Sequence, residues 1–159
     1  FTLLIGVYFA LQVGSSILPL GIAGLFLIVL YTRWVNRFPL LCLVAPGTGF
    51  GILMVLGTQL ALGGTYNLVG ILVALLPFLL VNNLLLLNQY PDIDADIQAG
   101  RKHFPIRYGV TASNYAYLIF VLMAITLILA GILLELFPAL SLLALLPMPL
   151  ALIASQDAI

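Results

Sequence analysis

The sequence predicts an all-α, polytopic transmembrane bundle with about six helices. Three observations carry that prediction. Hydrophobic residues make up 64% of the 159-residue chain and charged residues 6%, against about a quarter charged in a soluble domain. The uncharged residues come in long blocks, Phe1–Thr32, Phe38–Pro91 and Tyr108–Leu134, and about 20 apolar residues are enough to cross a bilayer core as a helix. Finally, runs such as "LIFVLMAITLILAGILL" (118–134) lack the period-two alternation of a barrel strand. In hydrocarbon their backbone must bond to itself, which makes them helices.

Turn residues divide the blocks. The first helix is expected over about Phe1–Val13, closed by "GSS" (14–16). The second spans about Ile17–Tyr31 and runs into the basic loop "TRWVNRF" (32–38). The third covers about Pro39–Leu62 and contains "APGTGFG", where Pro46 and three glycines predict a kink or a close helix contact. After the turn "GGTYN" (63–67), the fourth runs over about Leu68–Leu87. The fifth is expected over about Ser113–Leu134. "ELFPA" (135–139) then turns into a sixth over about Leu140–Ala154. Residues 1–159 read as one transmembrane domain, truncated at the N-terminus and also at the C-terminus.

Alternation places loop 32–38 and stretch 88–112 on one side of the membrane. All five cations, Arg33, Arg37, Arg101, Lys102 and Arg107, lie there, and the positive-inside rule makes that side cytoplasmic. Net charge is zero, so nothing argues for nucleic acid. The single cysteine, Cys42, excludes an intrachain disulfide and reads as a small buried hydrophobe.

Six of the ten charged residues fall within "NQYPDIDADIQAGRKHFPIRYG" (88–109). Asn88, Asp92 and Asp96 are spaced i, i+4, i+8, one face of a helix, while Asp94 points elsewhere. An oxygen-rich stripe suits Mg2+, which takes one or two carboxylates plus substrate phosphates. The cations that follow suit phosphate oxygens. Pro91 breaks the bond to residue 87, so the helix is expected to end near Asn88 and restart with a bend. A charged fringe marking the helix exit into water is equally compatible with these residues. Against it, Asn82 and Asn83 lie inside the apolar run, where polar groups face a protein interior or cavity.

These residues resemble the second aspartate-rich motif of the UbiA superfamily of intramembrane prenyltransferases: Asn88, Asp92, Asp96, then Gly100, Arg101-Lys102 and Arg107-Tyr108-Gly109. "YTRWVNRFPL" followed by "GFGILMVLGT" is similar to that family's tyrosine-plus-basic loop and the glycine-containing helix after it. The motif looks closest to the menaquinone-type branch or an uncharacterised relative. The resemblance implies a bundle of about nine helices around a cavity. It implies Mg2+-dependent transfer of a prenyl group from a prenyl diphosphate to an acceptor, an aromatic quinone or lipid precursor, in a bacterial or archaeal plasma membrane. It implies Asp92 and Asp96 as catalytic metal-diphosphate ligands, with Asn88 and Asp94 as further metal ligands. Arg101, Lys102, Arg37 and Tyr31 become diphosphate contacts. His103 stands where many relatives have Thr or Asn and reads as an interfacial loop residue. The family's first aspartate-rich motif would precede Phe1, so the chain is expected to hold half a catalytic site and to be inactive alone.

Two other classes fit the composition. A cation transporter or channel would use Asp92 and Asp96 as its site, but it calls for acidic residues deeper in the helices, and none lies between Phe38 and Pro91. A CDP-alcohol phosphotransferase would need a D-G pair that the stretch lacks.

Overall fold

A computed structural model describes residues 1–157, and the backbone alone at Thr32, Arg33, Asn36 and 154–157. The Arg33 side chain, expected among the cations of one membrane face, therefore lies outside the described residues. The described residues form helices and the turns between them, with no strand. Three helices are long and apolar enough to cross a membrane: α3 (Pro39–Ala61), α4 (Leu68–Asn88) and α6 (Phe104–Leu133). Around them stand α1 (Thr2–Val13), α2 (Leu18–Arg33), the short α5 (Ile93–Gln98) and α7 (Met148–Asp157).

The core lies between α3, α4 and α6. Leu43, Leu79, Leu86, Tyr117, Val121, Ala124 and Ile128 are buried together, closed by Met148 from α7. By contrast α1 buries no residue. Lipid tails are as apolar as leucine, so helices in a membrane gain little by hiding leucines from them. Small residues and internal polar bonds decide which faces meet.

Both devices operate where "APGTGFG" predicts a kink. Pro46 and the glycines after it convert α3 into a π-helical turn over Thr48–Leu53. There α3 crosses α4 with no room for side chains: a Cβ at Gly47 or Gly51 would run into the Phe78 backbone. Asn82 and Asn83, expected to face an interior, do so as helix ties. Asn82 Oδ1 accepts the Gly47 N–H at 2.6 Å, and Asn83 Nδ2 donates to the Tyr117 carbonyl of α6 at 3.1 Å.

At one end of the bundle the Tyr66 hydroxyl donates to the Ser16 carbonyl at 2.9 Å. This joins turns 14–17 and 63–67, the pair that alternation put on the same side. Asn67 caps α4 by accepting the Gly70 N–H at 2.7 Å.

Two expected helices differ. The fifth was expected from Ser113, yet α6 starts at Phe104, with Pro105 in its first turn, and bends at Gly109, whose φ is 83°. Proline in a first turn costs nothing because its missing N–H has no helical partner there, so "HFPIRY" forms one extra turn before the span proper. The sixth, expected over Leu140–Ala154, is broken into a 3-10 segment, Ala139–Leu145, and α7. Pro147 is the cause: it has no N–H to donate into the turn before it, and its ring blocks a continuous α-helix through that turn.

Candidate functional site

The charged stretch folds as three short pieces, and each break positions a side chain. α4 ends at Asn88. Pro91 falls in the following turn, and α5 restarts at Ile93 with Asp92 at its N-cap. The straight stripe is bent, as Pro91 requires, yet Asn88, Asp92 and Asp96 still line one cavity of about 160 Å3.

α5 closes at Gly100, whose φ is +73°, a conformation that glycine adopts without a Cβ penalty. The Arg101 N–H then bonds the Asp96 carbonyl at 2.9 Å, and the Gly100 N–H bonds that of Ile97 at 3.0 Å. This paired closure is the Schellman arrangement. It folds the chain back so that Arg101 Nη1 stands 3.1 Å from Asp96 Oδ1. Two residues on, His103 caps the start of α6 and brings Nε2 to 2.9 Å from Asp96 Oδ2. An ionised carboxylate only accepts, so Nε2 carries the hydrogen.

His103 is thus corrected from the interfacial loop residue expected of it. It is 3% exposed, because the Gly100 reversal drives it beneath α5 instead of along the surface. Its Nδ1 is buried with no hydrogen-bond partner. Each oxygen of Asp96 is accordingly engaged by a different side chain, and the residue is buried at 8% exposure. Asp92 is exposed and pairs with no cation among the described residues.

Tyr31 and Cys42 form another part of the cavity wall. Gln89 Nε2 reaches Cys42 Sγ at 3.7 Å. Cys42 is buried as expected, but against the charged cavity. The i, i+7 spacing of Asp96 and His103 was the one available signal for their pairing. Nothing local pointed to Cys42 or Gln89.

The remaining predicted residues lie elsewhere. Arg37 and Lys102 line a second hollow of about 590 Å3, with Arg107 and the apolar Pro39, Ile97 and Ile106. Arg101 borders both hollows. Asp94 is exposed and lines neither. Nearby, the Tyr90 hydroxyl donates to Asn114 Oδ1 at 2.6 Å, tying the loop to α6. Burial pushes that hydroxyl above the usual phenol range, and hydrogen bonding with Ser113 opposes the shift.

A family model described as the UbiA prenyltransferase family matches residues 1–157. No curated protein and no solved structure matches the chain.

Proposed function

The chain belongs to the UbiA prenyltransferase family, and from that premise we propose that it transfers a prenyl group from a prenyl diphosphate, with Mg2+, to an aromatic quinone precursor or related lipid acceptor. Family membership carries prenyl transfer to membrane-embedded substrates. The Mg2+ dependence and the acceptor class are proposed. The observation that carries the reading is the convergence of Asn88, Asp92, Asp96 and Arg101 on one cavity.

The donor set fits the metal. Asn88, Asp92 and Asp96 offer oxygen alone, the preference of a hard cation. Among the described residues no three His, Cys, Asp or Glu side chains form a complete cage. Mg2+ needs none, because it keeps waters and takes substrate phosphates as its other ligands. Bound there, Mg2+ would supply Lewis-acid withdrawal of charge from the leaving diphosphate.

The chain's own groups have distinct tasks. Asp92, unpaired and exposed, is free to take a cation. Asp96 is held through Oδ2 by His103 and through Oδ1 by Arg101. When Arg101 turns to a phosphate oxygen, Oδ1 is released while Oδ2 keeps the carboxylate oriented. Arg101 then stabilises negative charge as the C–O bond breaks. Tyr31 offers a hydroxyl donor at the wall. Arg37 and Lys102, expected on the same diphosphate, belong to the neighbouring hollow in this reading. The charged end of the bundle, where Arg37, Arg101, Lys102 and Arg107 gather, faces the cytoplasm in this reading.

The test uses the full-length protein in membranes with a labelled prenyl diphosphate. Asp92→Asn and Asp96→Asn should each lower Mg2+-dependent transfer by about 100-fold or more, with thermal unfolding in detergent unchanged for the exposed Asp92 and still cooperative for Asp96, whose bonds to His103 and Arg101 the amide weakens. Normal turnover in both variants would remove the assignment.

A further inference from the structure

We propose that the second hollow, between the starts of α3 and α6, binds the phosphate of an anionic lipid headgroup, a site that meets the aspartate cavity only at Arg101. Four of the chain's five cations, Arg37, Arg101, Lys102 and Arg107, line it. Of these, Arg101 has Asp96 as its counter-ion. Among the described residues Arg37, Lys102 and Arg107 pair with no carboxylate. Like charges held around one concavity repel, and an anion between them relieves the repulsion.

The surroundings name the class of anion. Pro39 opens the membrane span of α3, so the hollow lies at the membrane boundary. Trp34 and Phe38, just ahead of it, are 63% and 54% exposed, as aromatic residues are at headgroup depth. The uncharged wall is Pro39, Ile97 and Ile106, a surface suited to the first carbons of an acyl chain. A basic pocket between transmembrane helices is a recognised way of holding an acidic headgroup. Cations that served only to orient the chain would have no reason to share one hollow. The volume, about 590 Å3 against about 160 Å3 for the aspartate cavity, also leaves room for a headgroup rather than an ion.

Trp34 lies just before Arg37, and any tryptophan outside residues 1–159 is replaced by Phe so that Trp34 alone is read. The full chain, in neutral mixed micelles, is titrated with brominated-acyl phosphatidylglycerol and with brominated-acyl phosphatidylcholine, which quench tryptophan on contact. The ratio of half-quenching concentrations is the readout, and it needs no prenyl transfer, so the two proposals fail separately. The anionic lipid should quench at the lower concentration. Each cation contributes about fivefold to the ratio, so the double variant K102Q/R107Q should lower it about 25-fold, and Lys102→Gln alone, at an exposed position, about fivefold. K102R/R107K should keep it.

Results of three kinds would overturn the proposal. The first is equal quenching by both lipids, or a ratio unmoved in the Gln variants. In the second, adding Asp94→Lys to K102Q/R107Q restores the ratio, because that substitution returns the lost charge outside the hollow and would show attraction to the surface as a whole. In the third, millimolar inorganic phosphate displaces the anionic lipid from the wild-type chain, which would make the site one for soluble phosphate.

Discussion

Replacing Arg101 by Gln should move two measurements in opposite directions. Arg101 is bound to Asp96 before any substrate arrives, at 3.1 Å, and so competes with a cation for that carboxylate. The Arg101 side chain is 57% exposed, which leaves the pair worth about 0–1 kcal/mol after solvent screening. Removing it should therefore tighten divalent-cation binding by no more than about fivefold, read by electron paramagnetic resonance with Mn2+ in place of Mg2+. Transfer should fall. A hydrogen bond to a charged group is worth about 1.5–3 kcal/mol. At about 1.36 kcal/mol per tenfold in rate, losing Arg101, the one Lys or Arg that lines the cavity among the described residues, should slow the reaction about 10- to 150-fold. A variant that binds Mn2+ more weakly and transfers at the wild-type rate would refute this reasoning, because Arg101 would then be a structural partner of Asp96 and not its competitor.

Two further substitutions test how the fold sets up the site. Gly100→Ala meets no neighbouring atom, so its cost is the left-handed backbone alone, about 1–2 kcal/mol; the thermal midpoint in detergent should fall, and Gly100→Asn should be milder because Asn tolerates that conformation. Asn82→Ala leaves the Gly47 N–H without its acceptor inside the bundle, a cost of about 1–3 kcal/mol. Because Asn82 Nδ2 has no partner, its removal returns part of that, and a net loss of about 2 kcal/mol should appear as a midpoint about 4–8 °C lower.

Pattern along the chain was informative wherever local geometry follows from spacing. The three spanning helices, the Pro46 distortion and the inward-facing Asn82 and Asn83 were readable because hydrocarbon enforces helix and punishes lone polar groups. The break after Asn88 followed from Pro91. The break at Pro147 was equally visible, and it was missed because hydrophobicity outweighed the proline in the reading of 140–154. The early start of α6 was missed because Arg107, in "HFPIRYG", made the segment look like loop.

The sequence by itself determined a helical membrane bundle, one oxygen-rich charged end, and the family to which that end belongs. Tertiary structure alone decided how the charges were divided. Gly100, in left-handed conformation, reverses the chain so that Arg101 and His103 converge on Asp96, while Lys102 and Arg107 line the other hollow beside Arg37. Residues 101 and 102 are adjacent in sequence, and spacing treats them as a pair. Only the direction in which the backbone folds after Gly100 separates their partners, and the side chains that complete the two hollows, Tyr31 and Arg37, come from far earlier in the chain.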